Sequence, residues 1–285
     1  MKNTMDDILN TPPRNVIDDF FDRVGKHRTI DKEKLKDIAK GLMRFYRGSK
    51  RSKHFAYMKN NALENRWYES LESGNADYSV YDDEIYISDL WACWVLYSRY
   101  YLKAIKNPKS EVVLQTNQIK KIVDVGCGFG YTTLALKQMF PNATVIGTNL
   151  EDTTQIKVAR EIGIEYGFDV VSDYTQIGGD ADIVFASEYF EHFEKPVEHL
   201  FEVMDCTDAK TFIFANSFGT KSIGHFHQYK IDGELVQGNR VSRKFNSKLK
   251  ERGYKRTQTM IWNRKPDLWE KTPDSTESQT QGAEQ

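Results

Sequence analysis

Two short segments in the second half of the chain carry side chains that could do chemistry on a ligand. Residues 187–192 read Ser-Glu-Tyr-Phe-Glu-His, and residues 224–227 read Gly-His-Phe-His. Two carboxylates with one or two imidazoles could bind Mg²⁺ or another divalent metal, which would lower the pKa of a substrate hydroxyl. Without a metal, an imidazole could act as a base or as an orienting group. The candidate catalytic residues, and equally the candidate metal ligands, are Glu188, Glu191, His192 and His225.

A glycine-rich loop precedes both segments. Asp124, Gly126, Gly128 and Gly130 alternate with other residues after an apolar run, and a helical pattern follows. Glycine lets the backbone turn tightly and approach a ligand without a clash from Cβ. The dinucleotide fingerprint would require glycine at position 131, where Tyr131 stands. An acidic residue in this loop suits a cationic ligand.

The periodicity of apolar residues predicts the elements that must position these groups. Before residue 110 it predicts four helices, of which the third covers about 54–73 and the fourth about 83–106. From about residue 118, short apolar strands alternate with helices, which is typical of a parallel α/β sheet. We expect strands at 120–125, 143–148, 168–172, 181–186, 210–216 and near 256–263. We expect helices between them at 131–140, 152–166, 196–205 and 242–252.

The glycine loop and the strands that follow it resemble the class I S-adenosylmethionine-dependent methyltransferases, over about residues 119–265. The resemblance implies an α/β fold, a Rossmann-like and mostly parallel seven-stranded sheet with an N-terminal all-helical lid domain. The domains would be 1–112 for the helical lid and substrate domain and 113–270 for the cofactor-binding core. Residues 271–285 are rich in Ser, Thr, Gln and Glu and would form a disordered tail.

The same resemblance implies that S-adenosylmethionine is the cofactor. The glycine loop would hold its methionine part, the residues after the second strand its ribose, and those after the third its adenine. Where the family expects an acidic residue after the second strand, this chain has Asn149, an amide that can hydrogen-bond a ribose hydroxyl without charge assistance. The implied cofactor-binding residues are Asp124, Gly126, Cys127, Gly128, Gly130, Asn149, Leu150, Asp173, Tyr174 and Ser187.

The Glu-x-x-Glu-His pattern leaves the question of a metal open. Similar patterns occur in metal-dependent relatives that resemble ubiquinone-biosynthesis O-methyltransferases or small-RNA 2'-O-methyltransferases, and also in metal-free members. His225 and His227 alternate along the chain, so an extended backbone would turn only one of them toward the cleft.

The acceptor is the least constrained part of the interpretation. Residues 81–101 are rich in Tyr and Trp, and helices before the first strand often form a lid over the acceptor in this superfamily. Two basic stretches, 44–53 and 240–256, could follow a phosphate backbone. We favour a methyltransferase that acts on an oxygen or nitrogen of a small molecule. The alternatives are a nucleic-acid methyltransferase of the RNA ribose 2'-O type and a catalytically silent S-adenosylmethionine-binding protein.

Composition favours no special environment. The formal net charge is −1, and the three cysteines are far apart in the sequence. We find neither a signal-peptide pattern nor an apolar stretch that could span a bilayer. The expectation is a cytoplasmic protein without membrane contact, and the sequence leaves its oligomeric state open.

Overall fold

The computed structural model describes residues 14–47, 50–106, 118–262 and 264–272. The tail predicted for 271–285 lies outside these ranges from position 273 onward. No helix in the described part is long and apolar enough to cross a membrane.

The N-terminal part of the chain is helical, as its periodicity predicts. Its helices are α1 (Arg14–His27), α2 (Lys32–Tyr46), α3 (Lys50–Glu72) and α4 (Glu84–Cys93). Side chains of aspartate cap two of them, since Asp31 accepts from the backbone of Lys34 and Asp83 accepts from that of Ile85.

The helix predicted for 83–106 is one irregular segment. After α4 it passes through a π-helical turn (Trp94–Ser98), a short α-helical turn (Arg99–Tyr101) and a 3₁₀ turn (Leu102–Lys106). A shift to π-helical bonding rotates the following side chains relative to the regular helix, and such turns are frequent at functional sites.

The second part is an α/β sheet, as predicted. Its strands are β1 (Lys121–Val125), β2 (Thr144–Thr148), β3 (Asp169–Val171), β4 (Ile183–Ser187), β5 (Thr211–Ala215), β8 (Tyr254–Trp262) and β9 (Lys265–Lys271). The order is β3-β2-β1-β4-β5-β9-β8; the first five strands are parallel, and β9 pairs antiparallel with both β5 and β8. A separate hairpin joins β6 (Tyr229–Ile231) and β7 (Glu234–Val236).

Helices cover both faces of the sheet. They are α5 (Tyr131–Met139), α6 (Thr154–Tyr166), α7 (Pro196–Thr207) and α8 (Asn239–Glu251). Along β1, Ile122 packs in the core shared with the N-terminal helices, and its neighbour Val123 packs in the core shared with α7 and α8. Side chains alternate across a strand, so a sheet covered on both faces needs apolar residues at successive positions.

Buried ion pairs attach the first helix to the sheet domain. Arg23 of α1 is 7% exposed and donates to Glu161 and Glu165 of α6, at 3.1 and 2.7 Å. These ion pairs therefore attach α1 to α6.

Candidate functional site

A cavity of about 760 Å³ lies between the N-terminal helices and the loops after β1, β2, β4 and β5. The carboxyl ends of parallel strands meet at one edge of a sheet, which brings these loops together. Most of the residues singled out in the sequence border this cavity, although Gly130, Asp173 and Glu191 do not.

The three loop glycines are needed for three different reasons. All have positive φ angles, of 69° at Gly126, 55° at Gly128 and 83° at Gly130. A Cβ on Gly126 would lie 2.1 Å from the ring of Tyr189, and one on Gly130 would lie 3.1 Å from the backbone of Ala159. Gly128 lines the cavity, and a Cβ there would meet no atom within 4 Å. Gly128 therefore leaves room that a ligand can use.

Asp124 places a carboxyl group beside this loop. It is 2% exposed, it lines the cavity, and it accepts a 2.7 Å hydrogen bond from Oγ1 of Thr133. No ion pair to Asp124 is present among the described residues. Burial raises the pKa of this carboxyl group to about 7. The site can therefore accept a cationic group at this position.

Asn149 uses its side chain to hold the loop. Its Nδ2 donates to the carbonyl oxygen of Gly128 at 2.7 Å, and its Oδ1 accepts from the backbone of Leu150 at 2.8 Å. Asn149, Leu150 and Cys127 all line the cavity. Burial raises the pKa of the Cys127 thiol, so it is a neutral wall residue at neutral pH.

After β3, the structure separates the two residues assigned to adenine. Tyr174 lines the cavity, whereas Asp173 is exposed, and its carboxylate accepts from the backbone of Thr175 at 2.8 Å. Ser187, at the end of β4, also lines the cavity, and its hydroxyl lies 3.2 Å from that of Ser98.

Glu188 lies in the cavity wall and already has a cationic partner. Its Oε1 accepts from Nζ of Lys265 at 3.0 Å, and the same ammonium group also donates to the hydroxyl of Ser217. Glu188 has a φ of 52°, an unfavourable angle for a residue with a Cβ. The strained backbone turns this side chain toward Lys265, a residue that the sequence patterns did not single out.

Glu191 is fully buried behind the cavity wall. Its Oε1 accepts from the backbone of Ser217 at 2.7 Å, and its Oε2 has no hydrogen-bond partner among the described residues. Burial and the neighbouring carboxylate of Glu188 raise the pKa of Glu191 well above its ordinary value. Glu191 thus joins the loops after β4 and β5, and it does not border the cavity.

The two histidines meet at the cavity with their ring centres 4.8 Å apart. Nδ1 of His192 and the hydroxyl of Tyr81 lie 3.0 Å apart, within hydrogen-bonding distance. Nδ1 of His225 lies 2.8 Å from the carbonyl oxygen of Thr220, which can only accept, so Nδ1 of His225 carries the proton. Burial lowers the pKa of both histidines, and a neutral His225 keeps a lone pair on Nε2.

Of the two later histidines, His225 and not His227 faces the cavity. His225 is 5% exposed and lines the cavity, whereas His227 is exposed and stacks on the ring of Tyr68 at 3.7 Å.

These residues do not form a metal centre. Within the described ranges no group of three or more His, Cys, Asp or Glu side chains is arranged to hold a metal ion. The ammonium group of Lys265 lies against Glu188, and Oε1 of Glu191 is used by the backbone of Ser217. The residues present therefore do not fit a divalent metal.

The helical side of the cavity is aromatic. Six of its lining residues from α2, α4 and the turns around α4 are Tyr46, Tyr81, Tyr86, Trp94, Tyr97 and Tyr101. Trp94 leaves its buried Nε1 without a hydrogen-bond partner among the described residues. The carboxyl group of Asp89 lies in the same wall.

Four of the eight Lys and Arg residues in the basic stretch at 240–256 lie in ion pairs with carboxylates. Lys244 lies 2.9 Å from Glu234, Arg252 lies 2.9 Å from Asp205, and Arg256 lies 2.7 Å from Asp267. Of the other stretch, the side chains of Lys50, Arg51 and Lys53 lie outside the described residues.

Comparisons with known proteins agree with this geometry. Residues 122–207 match a family model described as a methyltransferase domain. No curated protein matches the chain.

The solved structures that match the chain are distant in sequence. An O-methyltransferase family protein from Burkholderia thailandensis is 12% identical with a TM-score of 0.48, over 67% of this chain and 61% of that one. Mitomycin 7-O-methyltransferase MmcR is 12% identical with a TM-score of 0.48, over 73% of this chain and 66% of that one. The S-adenosylmethionine-dependent methyltransferase SibL is 15% identical with a TM-score of 0.48, over 85% and 76%. The chain thus spans somewhat less than two thirds of the first two proteins.

Proposed function

We propose that this chain, a class I S-adenosylmethionine-dependent methyltransferase, transfers a methyl group to an oxygen or nitrogen of a small molecule. The observation that carries the proposal is the cavity of about 760 Å³, which is bordered at one end by the glycine loop and at the other by aromatic side chains of the helices. Pockets of this size enclose small ligands.

The residues at the loop end fit the cofactor. Gly128 leaves open space at the cavity, and the buried carboxyl group of Asp124 has no cationic partner among the described residues. Asp124 would face the ammonium group of S-adenosylmethionine, and the loop backbone would pass along its methionine part. When bound, the cofactor supplies an electrophilic methyl group on sulfonium.

The protein's contribution to the reaction is to position the acceptor and to remove its proton. Positioning alone supplies much of the acceleration in a displacement of this kind. A hydroxyl acceptor also needs a base, and His225 offers the lone pair on Nε2 because its Nδ1 proton is held by Thr220. Nε2 of His225 would take the proton of the acceptor hydroxyl, and the bound cofactor would supply the methyl group for the acceptor oxygen and keep the electrons of its carbon–sulfur bond.

His192 would support this base. Its ring meets His225 edge to face, and the hydroxyl of Tyr81 fixes its orientation. Glu188 and Lys265 neutralise each other in the wall beside it. We therefore propose a metal-free site in which turnover is unchanged by a chelator.

The test begins with cofactor binding. Calorimetry with S-adenosylhomocysteine should show a single site, and a panel of phenols, amines and carboxylic acids should then be screened by the formation of S-adenosylhomocysteine. Binding of a nicotinamide nucleotide without binding of S-adenosylhomocysteine would contradict the proposal.

Once an acceptor is found, His225→Gln should lower kcat by about 100-fold or more, in the range of general base catalysis, and leave S-adenosylhomocysteine binding unchanged. His227→Gln is the matched control, because His227 is the exposed neighbour and should lose little activity. Equal losses in both variants would remove His225 from its role as a base. A loss of turnover in EDTA, restored by Mg²⁺, would show that a metal takes part.

A further inference from the structure

Asp89 is a buried carboxylic acid that the methyl transfer described above does not use. It lies on α4, in a mostly aromatic wall of the cavity that also contains Glu64, and it is 6% exposed. Its Oδ1 accepts a 2.6 Å hydrogen bond from the hydroxyl of Tyr46 on α2. It borders the same cavity as the glycine loop.

No cation compensates this carboxyl group within the described residues. Two lysines line the cavity, and both engage other groups: Lys265 pairs with Glu188, and Nζ of Lys221 lies 5.3 Å from the centre of the Tyr68 ring. Burial raises the pKa of Asp89 to about 6. At pH 7.5 the group is therefore mostly ionised and buried.

Aromatic residues surround this charge. The carboxylate of Asp89 acts electrostatically on the hydroxyls of Tyr46, Tyr86 and Tyr97, and it contributes to the raised pKa of each. A buried charge without an opposite charge is costly. Aromatic rings attract cations electrostatically, so a carboxylate bordered by tyrosines is the surrounding that an ammonium group prefers.

We propose that Asp89 and the tyrosines around it bind a positively charged amino group of the methyl acceptor. This inference rests on the proposed function, because it assigns the acceptor's class to the same cavity. The acceptor would be a small amine that also carries the hydroxyl or nitrogen to be methylated. Phenolic amines have this combination of groups, and their rings match the aromatic wall.

A structural role for Asp89 makes a different prediction. If the carboxyl group served only to connect α2 to α4, it would need one acceptor oxygen for the hydroxyl of Tyr46. The side-chain carbonyl of asparagine supplies that acceptor, so Asp89→Asn would then leave ligand selectivity unchanged. If the negative charge recognises the ligand, the same substitution removes selectivity and keeps the fold.

The experiment compares three probes of one shape and different charge on the full chain saturated with S-adenosylhomocysteine at pH 7.5. Tyramine carries an ammonium group, 4-ethylphenol is neutral, and 3-(4-hydroxyphenyl)propionate carries a carboxylate. Calorimetry should give tyramine the lowest Kd, about tenfold or more below that of 4-ethylphenol, and the propionate the highest. Asp89→Asn should abolish the difference between tyramine and 4-ethylphenol.

Tyr46→Phe is the matched control, since it removes the hydrogen bond and keeps both the carboxyl group of Asp89 and the aromatic ring at position 46, and it should retain a preference for tyramine. Thermal unfolding and S-adenosylhomocysteine binding check that each variant is folded. Equal affinities for the three probes, tighter binding of the propionate, no binding of tyramine at millimolar concentration, or an unchanged preference in Asp89→Asn would each overturn the inference. Failure of the proposed function would appear separately, as no binding of S-adenosylhomocysteine.

Discussion

The two ends of the cavity are built from different parts of the chain. At the end proposed for the cofactor, residues 126–129 of the glycine loop form the wall, and Asn149 holds the loop from the next strand. At the acceptor end, side chains from α2, α4 and the loops after β4 and β5 form the wall, and they meet only in the folded protein. A wall made of backbone demands particular residue types at fixed spacing, whereas a wall made of side chains accepts many combinations. Under the proposed function, the backbone wall limits which cofactor can bind, and the side-chain wall limits which acceptor can bind.

The largest effect on ligand binding is expected when a side chain is added to the backbone wall of the cavity. Gly128→Val should weaken the affinity for S-adenosylhomocysteine by roughly 100-fold or more. The new atoms occupy space at the cavity, and the φ of 55° disfavours a β-branched residue. Calorimetry measures the affinity. Gly233→Val is the control, since Gly233 has a φ of 78° and open space around it in the turn between β6 and β7, so it carries backbone strain away from the cavity. Equal losses of binding in both would mean that strain, and not the cavity, is responsible.

A second substitution tests how the backbone wall is held. Asn149→Asp removes the donor that bonds the carbonyl oxygen of Gly128 and sets a carboxylate oxygen against it. We expect cofactor binding to weaken by about 1–3 kcal/mol, the cost of an unsatisfied polar contact. Tighter binding in Asn149→Asp would show instead that position 149 contacts the ribose directly, as an acidic residue there does in the family that this chain resembles.

The ionisation of Asp124 gives a smaller, pH-dependent effect. Its pKa is raised to about 7 in the free protein, and a cationic ligand favours the ionised form. The affinity for S-adenosylhomocysteine should therefore rise as the pH rises through 7 and should level off above pH 7. Below pH 7 it should fall by up to about tenfold per pH unit. Asp124→Asn should bind more weakly and lose this dependence between pH 6 and 8. A pH profile shared by both proteins would assign the titration to another group.

The sequence predicted the elements well where the pattern of apolar residues is strong. The five parallel strands were expected within about two residues of their positions, because each is an apolar run next to a helical pattern. β9 was missed because its sequence, Lys-Pro-Asp-Leu-Trp-Glu-Lys, mixes charges and proline with few apolar residues. The hairpin of β6 and β7 was missed because each strand has only three residues.

In the candidate site, too, the sequence predicted the features that lie in one short segment and missed those that depend on residues far apart in the chain. The glycine loop could be recognised in the sequence because its glycines and Asp124 lie in one short segment. The pairing of Glu188 with Lys265 joins residues 77 positions apart, and that of Asp89 with Tyr46 joins residues 43 apart. No local pattern marks such pairs. The assignment of Asp173 to the cofactor stays a prediction: its carboxylate caps the next turn, as a short polar side chain after a strand often does, and it does not border the cavity.

The smallest effect is expected outside the cavity altogether, on the basic face of α8. Lys244 pairs with Glu234, and Lys248 lies 3.2 Å from Glu251 and 3.7 Å from Asp232. These carboxylates offset the positive charge, and a polyanion would have to displace them. Changing Arg243, Lys244 and Lys248 together to Ala should therefore leave kcat/KM for a small acceptor within about twofold, as expected of surface charges.

RNA and DNA binding should be measured in the same proteins at two salt concentrations. Tight binding that weakens steeply with salt and is lost in the triple variant would show that α8 follows a phosphate backbone, and the acceptor would then be sought among nucleic acids.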